Sequence, residues 1–70
     1  MANIENLATQ LKSIRLSKFI MQKDAVKMVG VTKQTIIKME SPTTISTVAF
    51  GTVIAYCRVL GVETIDIKPN

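Results

Sequence analysis

Gly30 and Pro42 bracket one short segment, and this pair constrains the fold more than any other feature of the chain. Gly30 follows the spaced apolar residues Ala25, Val26 and Val29, and it can take the left-handed conformation that ends a helix. Two residues on, Thr32 can cap a new helix by accepting from a backbone N–H near Thr35. That helix must stop by Ser41, because the residue before a proline is pushed out of the α region. Residues 22–40 therefore read as two short helices with a tight turn between them. On the second, Ile36 and Met39 share an inward face, which leaves Lys33, Gln34, Ile37 and Lys38 facing away.

Around this centre the pattern stays helical. Ile4, Leu7, Leu11 and Ile14 recur at helical spacing, with Asn3 as a plausible cap, so the first helix is expected over about 4–18. "SPTTIS" reads as a loop. Ser46 or Thr47 can cap a longer helix that carries Phe50, Val53, Cys57 and Leu60 on one stripe and ends at Gly61. The tail "VETIDIKPN" changes period: Ile65 and Ile67 alternate with Thr64, Asp66 and Lys68, as in a strand over 63–68. A lone strand leaves unpaired backbone groups, and the same strand from a second copy is the simplest partner. The expected class is mainly α, with four to five helices in one domain over 1–70 and a short C-terminal β-strand that pairs across a dimer.

A chain of 70 residues buries a small core and gains from dimerisation. Its 47% apolar content is too high for a disordered chain. The apolar stretches fall far below a membrane span, and the N-terminus has no basic segment leading into an apolar one, so a cytoplasmic location without membrane contact is expected. Cys57 has no second cysteine to pair with, and the absence of histidine rules out the usual zinc clusters and histidine-dependent nucleophile–base pairs. No metal, no cofactor and no catalysis are expected. Net charge is +4. From Lys12 to Lys38 seven basic residues face one acid, Asp24, whereas the remainder of the chain is near neutral. A basic half suits a polyanion; a solvated lysine-rich surface is the alternative.

Arg15, Gln22, Ala25-Val26, Val29-Gly30-Val31-Thr32, Thr35-Ile36 and Glu40 fall in a recognisable order. This arrangement resembles the Xre/Cro family of lambda-repressor-like helix-turn-helix regulators, whose second short helix enters the DNA major groove. The ending "LGVETIDIKPN" resembles, over a shorter stretch, the HipB-type antitoxins of that family. The sequence departs from the family in four places. Phe19 stands where glycine is usual, and Met21 where a capping serine or threonine is usual. Val26 replaces a small residue, and the loop before the last helix has no basic side chain.

The resemblance implies a sequence-specific repressor that binds double-stranded DNA as a homodimer on a palindromic operator. The alternative it raises is an antitoxin that represses its own operon and binds a toxin kinase. Lys33, Gln34, Ile37 and Lys38 are the candidate base contacts. Gln34 can bond bidentately to adenine, and Ile37 can pack on a thymine methyl. For each, a plain solvent-exposed helix residue is the competing reading. Gln22 is implied to bond a phosphate and to brace Lys33 or Gln34, and Lys23, Thr32, Thr43 and Thr44 are weaker phosphate candidates. Arg15 and Glu40 are implied to form a structural ion pair, and Ile65 and Ile67 to line the dimer. Cys57 reads as core; Tyr56 fits either core or dimer surface.

Overall fold

The computed structural model describes residues 4–62. Asn3 and the expected strand over 63–68, with Ile65 and Ile67, lie outside them. Every regular element among the described residues is helical: α1 (Ile4–Ser17), α2 (Gln22–Val29), α3 (Lys33–Met39), one 3-10 turn (Ile45–Thr47) and α4 (Phe50–Leu60).

The short helices begin and end where local chemistry dictates. Gly30 ends α2 at φ 83°, its N–H bonded to the Val26 carbonyl at 2.8 Å. No atom would crowd a Cβ there, so the dihedral alone is what favours glycine. Thr32 then caps α3 as expected, its Oγ1 accepting from the Thr35 N–H at 3.3 Å. Met21 cannot cap α2 through its thioether. Instead the Asp24 carboxylate accepts from the Met21 N–H at 3.1 Å, which keeps the reciprocal half of a capping box and sets a negative charge in the first turn.

Phe19 plays the part at the end of α1 that glycine plays at the end of α4. The Phe19 N–H bonds the Leu16 carbonyl and the Ile20 N–H reaches back to Arg15, just as Gly61 and Val62 bond Arg58 and Cys57. That geometry needs a positive φ, and Phe19 supplies it at 59°. A bulky residue is sterically strained there, and this one recovers nothing by packing, since it is 93% exposed.

The start of α4 differs from expectation. Neither Ser46 nor Thr47 caps it; α4 starts at Phe50, with Ala49 in the cap position and no side-chain bond. Ser46 and Thr47 instead belong to the 3-10 turn, whose purpose is visible in its first residue: Ile45 is fully buried. The turn folds the loop inward to insert one more apolar side chain into the core.

That core gathers Leu7, Ala8 and Leu11 from α1, Ala25 from α2, Ile36 and Met39 from α3, Ile45, and Val53, Tyr56, Cys57 and Leu60 from α4. Fully burying each larger side chain stabilises the fold by roughly 1.5–3 kcal/mol. The α4 residues stand at i, i+3, i+4 and i+7, so one stripe of α4 packs against α1 and α2. Helix α3 contributes only Ile36 and Met39 to this core. Its remaining faces project from the domain.

Candidate nucleic-acid interface

Because α3 is anchored through Ile36 and Met39 on one face, its outer surface is presented rather than packed. Lys33, Gln34 and Lys38 are exposed, and Ile37 is 46% exposed. Thr35, half-buried, is tied to the cap, its hydroxyl 3.0 Å from that of Thr32. The four candidate base contacts therefore lie together on the outward side of a rigidly anchored helix.

Six of the seven cations between Lys12 and Lys38 remain at the surface; Arg15 alone is withdrawn into the protein. Lys23 and Lys33 converge with Arg15, Met21 and Gln22 around an open cleft where the starts of α2 and α3 approach each other. Lys12 lies apart, in a second groove with Leu16 and Pro42. Among the described residues no three His, Cys, Asp or Glu side chains gather where they could hold a metal ion. Nor is any helix among them long and apolar enough to cross a membrane.

Behind the cleft lies a buried polar network centred on Glu40. Arg15 Nε donates to Glu40 Oε2 at 2.6 Å and Nη2 to Oε1 at 3.1 Å, a bidentate pair that ties α1 to the end of α3. Arg15 Nη1 also donates to the Ile20 carbonyl at 2.7 Å, which holds the strained turn at Phe19 in place. Tyr56 Oη donates to Glu40 Oε2 at 2.5 Å, and Gln22 Nε2 to Oε1 at 3.4 Å. Burial alone would push the Glu40 carboxyl upward, but the Arg15 guanidinium, the Tyr56 hydroxyl and the Gln22 amide outweigh it and hold it below the usual carboxylate range. The bond to Glu40 raises Arg15 against a smaller opposing effect of burial. Tyr56 is pushed well above the ordinary phenol range by burial first and by its bond to the Glu40 carboxylate second.

Comparison with family models, curated proteins and solved structures finds no match. The site therefore rests on its own geometry.

That geometry separates the sequence candidates into groups. Lys33, Gln34, Ile37 and Lys38 stand together, and Gln22 and Lys23 adjoin Lys33 across the cleft. Gln22 reaches Glu40 rather than bracing Lys33 or Gln34. Thr32 commits its acceptor to the cap. Thr44 Oγ1 donates to the Lys38 carbonyl at 2.9 Å, closing the far end of α3, and the Thr43 hydroxyl lies 3.1 Å from that of Ser41. Neither Thr43 nor Thr44 lines the cleft. Cys57 is buried in the core, as expected. Tyr56, left open between core and dimer surface by the sequence, is both fully buried and a hydrogen-bond donor to Glu40. Its place in the i, i+3, i+4, i+7 stripe with Val53, Cys57 and Leu60 was the signal for its burial; nothing in the spacing announces its bond.

Proposed function

We propose that this chain is a sequence-specific DNA-binding repressor that acts as a homodimer on a palindromic operator. In this reading α2, the Gly30 turn and α3 are a helix-turn-helix, with α3 as the recognition helix. One observation carries the proposal: Lys33, Gln34, Ile37 and Lys38 are all exposed on a helix whose opposite side, Ile36 and Met39, is sealed into the core. A major groove admits one helix, and lysine, glutamine and an aliphatic side chain match guanine, adenine and the thymine methyl. The cleft with Lys23 and Lys33 gives the adjoining phosphates a cationic seat. No residue in this arrangement transforms a substrate; repression works by occupying the operator.

A dimer fits the size of the domain. The described residues span 28 × 21 × 18 Å, so one copy covers about one half-site, and two copies set roughly 34 Å apart read successive major grooves. The alternating sequence pattern over 63–68, with Ile65 and Ile67 in phase, would suit an antiparallel contact with a second copy, as two-fold symmetry requires.

Gel-shift on duplex taken from upstream of the chain's own gene tests both parts. Retardation is expected, with affinity falling steeply as salt rises, by a logarithmic slope of about −0.9 per phosphate neutralised. Lys23→Ala should weaken operator and random duplex alike. A chain ended at Gly61 should keep much of its helix content, sediment as a monomer and bind the operator more weakly. Affinity that ignores salt refutes DNA binding, and a truncated chain that still sediments as a dimer moves the interface elsewhere.

A further inference from the structure

Gln22 stands at the first position of α2, its amide nitrogen 3.4 Å from Glu40 Oε1, and it lines the cleft that holds Lys23 and Lys33. A glutamine amide has two nearly isosteric ends, a donor and an acceptor, and in solvent nothing distinguishes between them. Here Glu40 makes the distinction. An ionised carboxylate only accepts, so only the NH2 end of Gln22 can face it. One N–H is thereby engaged inward, and the second N–H remains for a ligand in the cleft.

Glu40 can do this only if it is itself immobile. Its oxygens take four donors from three residues: Oε1 from Arg15 Nη2 and Gln22, Oε2 from Arg15 Nε and Tyr56. The Gln22 bond is the longest of these, at 3.4 Å, and so the first to be lost if the carboxylate turns. Arg15 holds both oxygens, whereas the Tyr56 hydroxyl, offered from α4, fixes Oε2 from a second direction. Tyr56, Glu40 and Gln22 thus make a chain from the core to the cleft.

We propose that Glu40 and Tyr56 are positioning residues for DNA binding: they orient the Gln22 carboxamide so that its outward N–H, beside Lys23 and Lys33, takes one phosphate oxygen of the duplex. This rests on the DNA-binding reading above. It adds that a side chain buried on α4, without touching DNA, sets the strength of a backbone contact.

A double-mutant cycle on duplex affinity tests the coupling. Tyr56→Phe should weaken operator binding by about three- to tenfold in the wild-type background, and by less than about twofold when Gln22 is already Met. A loss of general fold stability would act equally in both backgrounds, and equal losses overturn the proposal. In the free protein, the side-chain amide proton signals of Gln22 should shift on Tyr56→Phe; signals that do not move overturn it as well. If Tyr56→Phe fails to fold, the same signals followed in the wild type through the acid titration of Glu40 decide the matter: they must move with that carboxyl while circular dichroism stays native, and signals that stay fixed until the helices melt overturn the proposal. A wild-type chain with no duplex affinity refutes the DNA reading and the phosphate contact with it, while the free-protein signals still report separately whether Glu40 orients Gln22.

Discussion

Arg15→Met is expected to destabilise the fold by roughly 3 kcal/mol or more, against less than about 0.5 kcal/mol for Lys18→Met. The two substitutions remove the same charge three residues apart. Arg15, however, is 5% exposed and bonds both Glu40 oxygens and the Ile20 carbonyl, whereas Lys18 is exposed. Without Arg15, Glu40 stays buried with only the Tyr56 hydroxyl and the Gln22 amide, and the αL turn at Phe19 loses its clamp. A domain this small has a narrow margin, so the variant should be largely unfolded at ordinary temperature.

The same pair makes the wild type acid-sensitive. Glu40 titrates lower in the folded chain than in the unfolded one, so its contribution is complete above the unfolded carboxylate value of about 4.3 and fades as pH falls through the folded value. Denaturant melts of both variants across pH check this. Equal midpoints for Arg15→Met and Lys18→Met would remove the ion pair as a support of the fold.

Gln34→Ala should lose about 1–3 kcal/mol of operator affinity, roughly five- to 150-fold, and relax the preference at one base position. Gln34 is exposed on α3 and has no packing duty, so the fold should melt as the wild type does. The loss should be confined to the specific duplex, in contrast with the uniform weakening expected of Lys23→Ala. Competition against a set of single-base operator variants reads both numbers at once. Unchanged selectivity would take Gln34 out of base recognition.

The parts of this structure that the sequence made legible are those governed by a single local rule. Gly30 needs a positive φ, Thr32 has an orphan N–H within reach, and Pro42 forbids helix before it; together they placed α2, the turn and α3. The start of α4 obeys no such rule. Ser41, Thr43, Thr44, Ser46 and Thr47 all offer hydroxyls, and the winning arrangement is decided by burying Ile45, a tertiary demand invisible to capping logic. Ala8, fully buried, likewise escaped the apolar pattern because a small residue carries little signal. The Arg15–Glu40 pair was reached through the family likeness alone, since 25 residues separate them and no periodicity connects them. The inward turn of Gln22 was legible in neither way.

Tyr56 gives this chain a built-in optical probe. The sequence contains one tyrosine and no tryptophan, so its tyrosine-band emission arises wholly at the ring that bonds Glu40. A phenol bonded to a carboxylate is dim because its excited state loses the proton to the acceptor, so the native chain should brighten when that bond opens. The same ring serves as an alkaline gauge. Burial and the Glu40 bond raise its ionisation in the folded chain, so the stabilisation linked to it is intact below about pH 10 and is lost as pH rises further. Tyrosinate absorbance should therefore appear only as the helices melt, the two signals rising together. Absorbance that rises at an ordinary phenol value while circular dichroism stays native would mean that the ring is open to solvent.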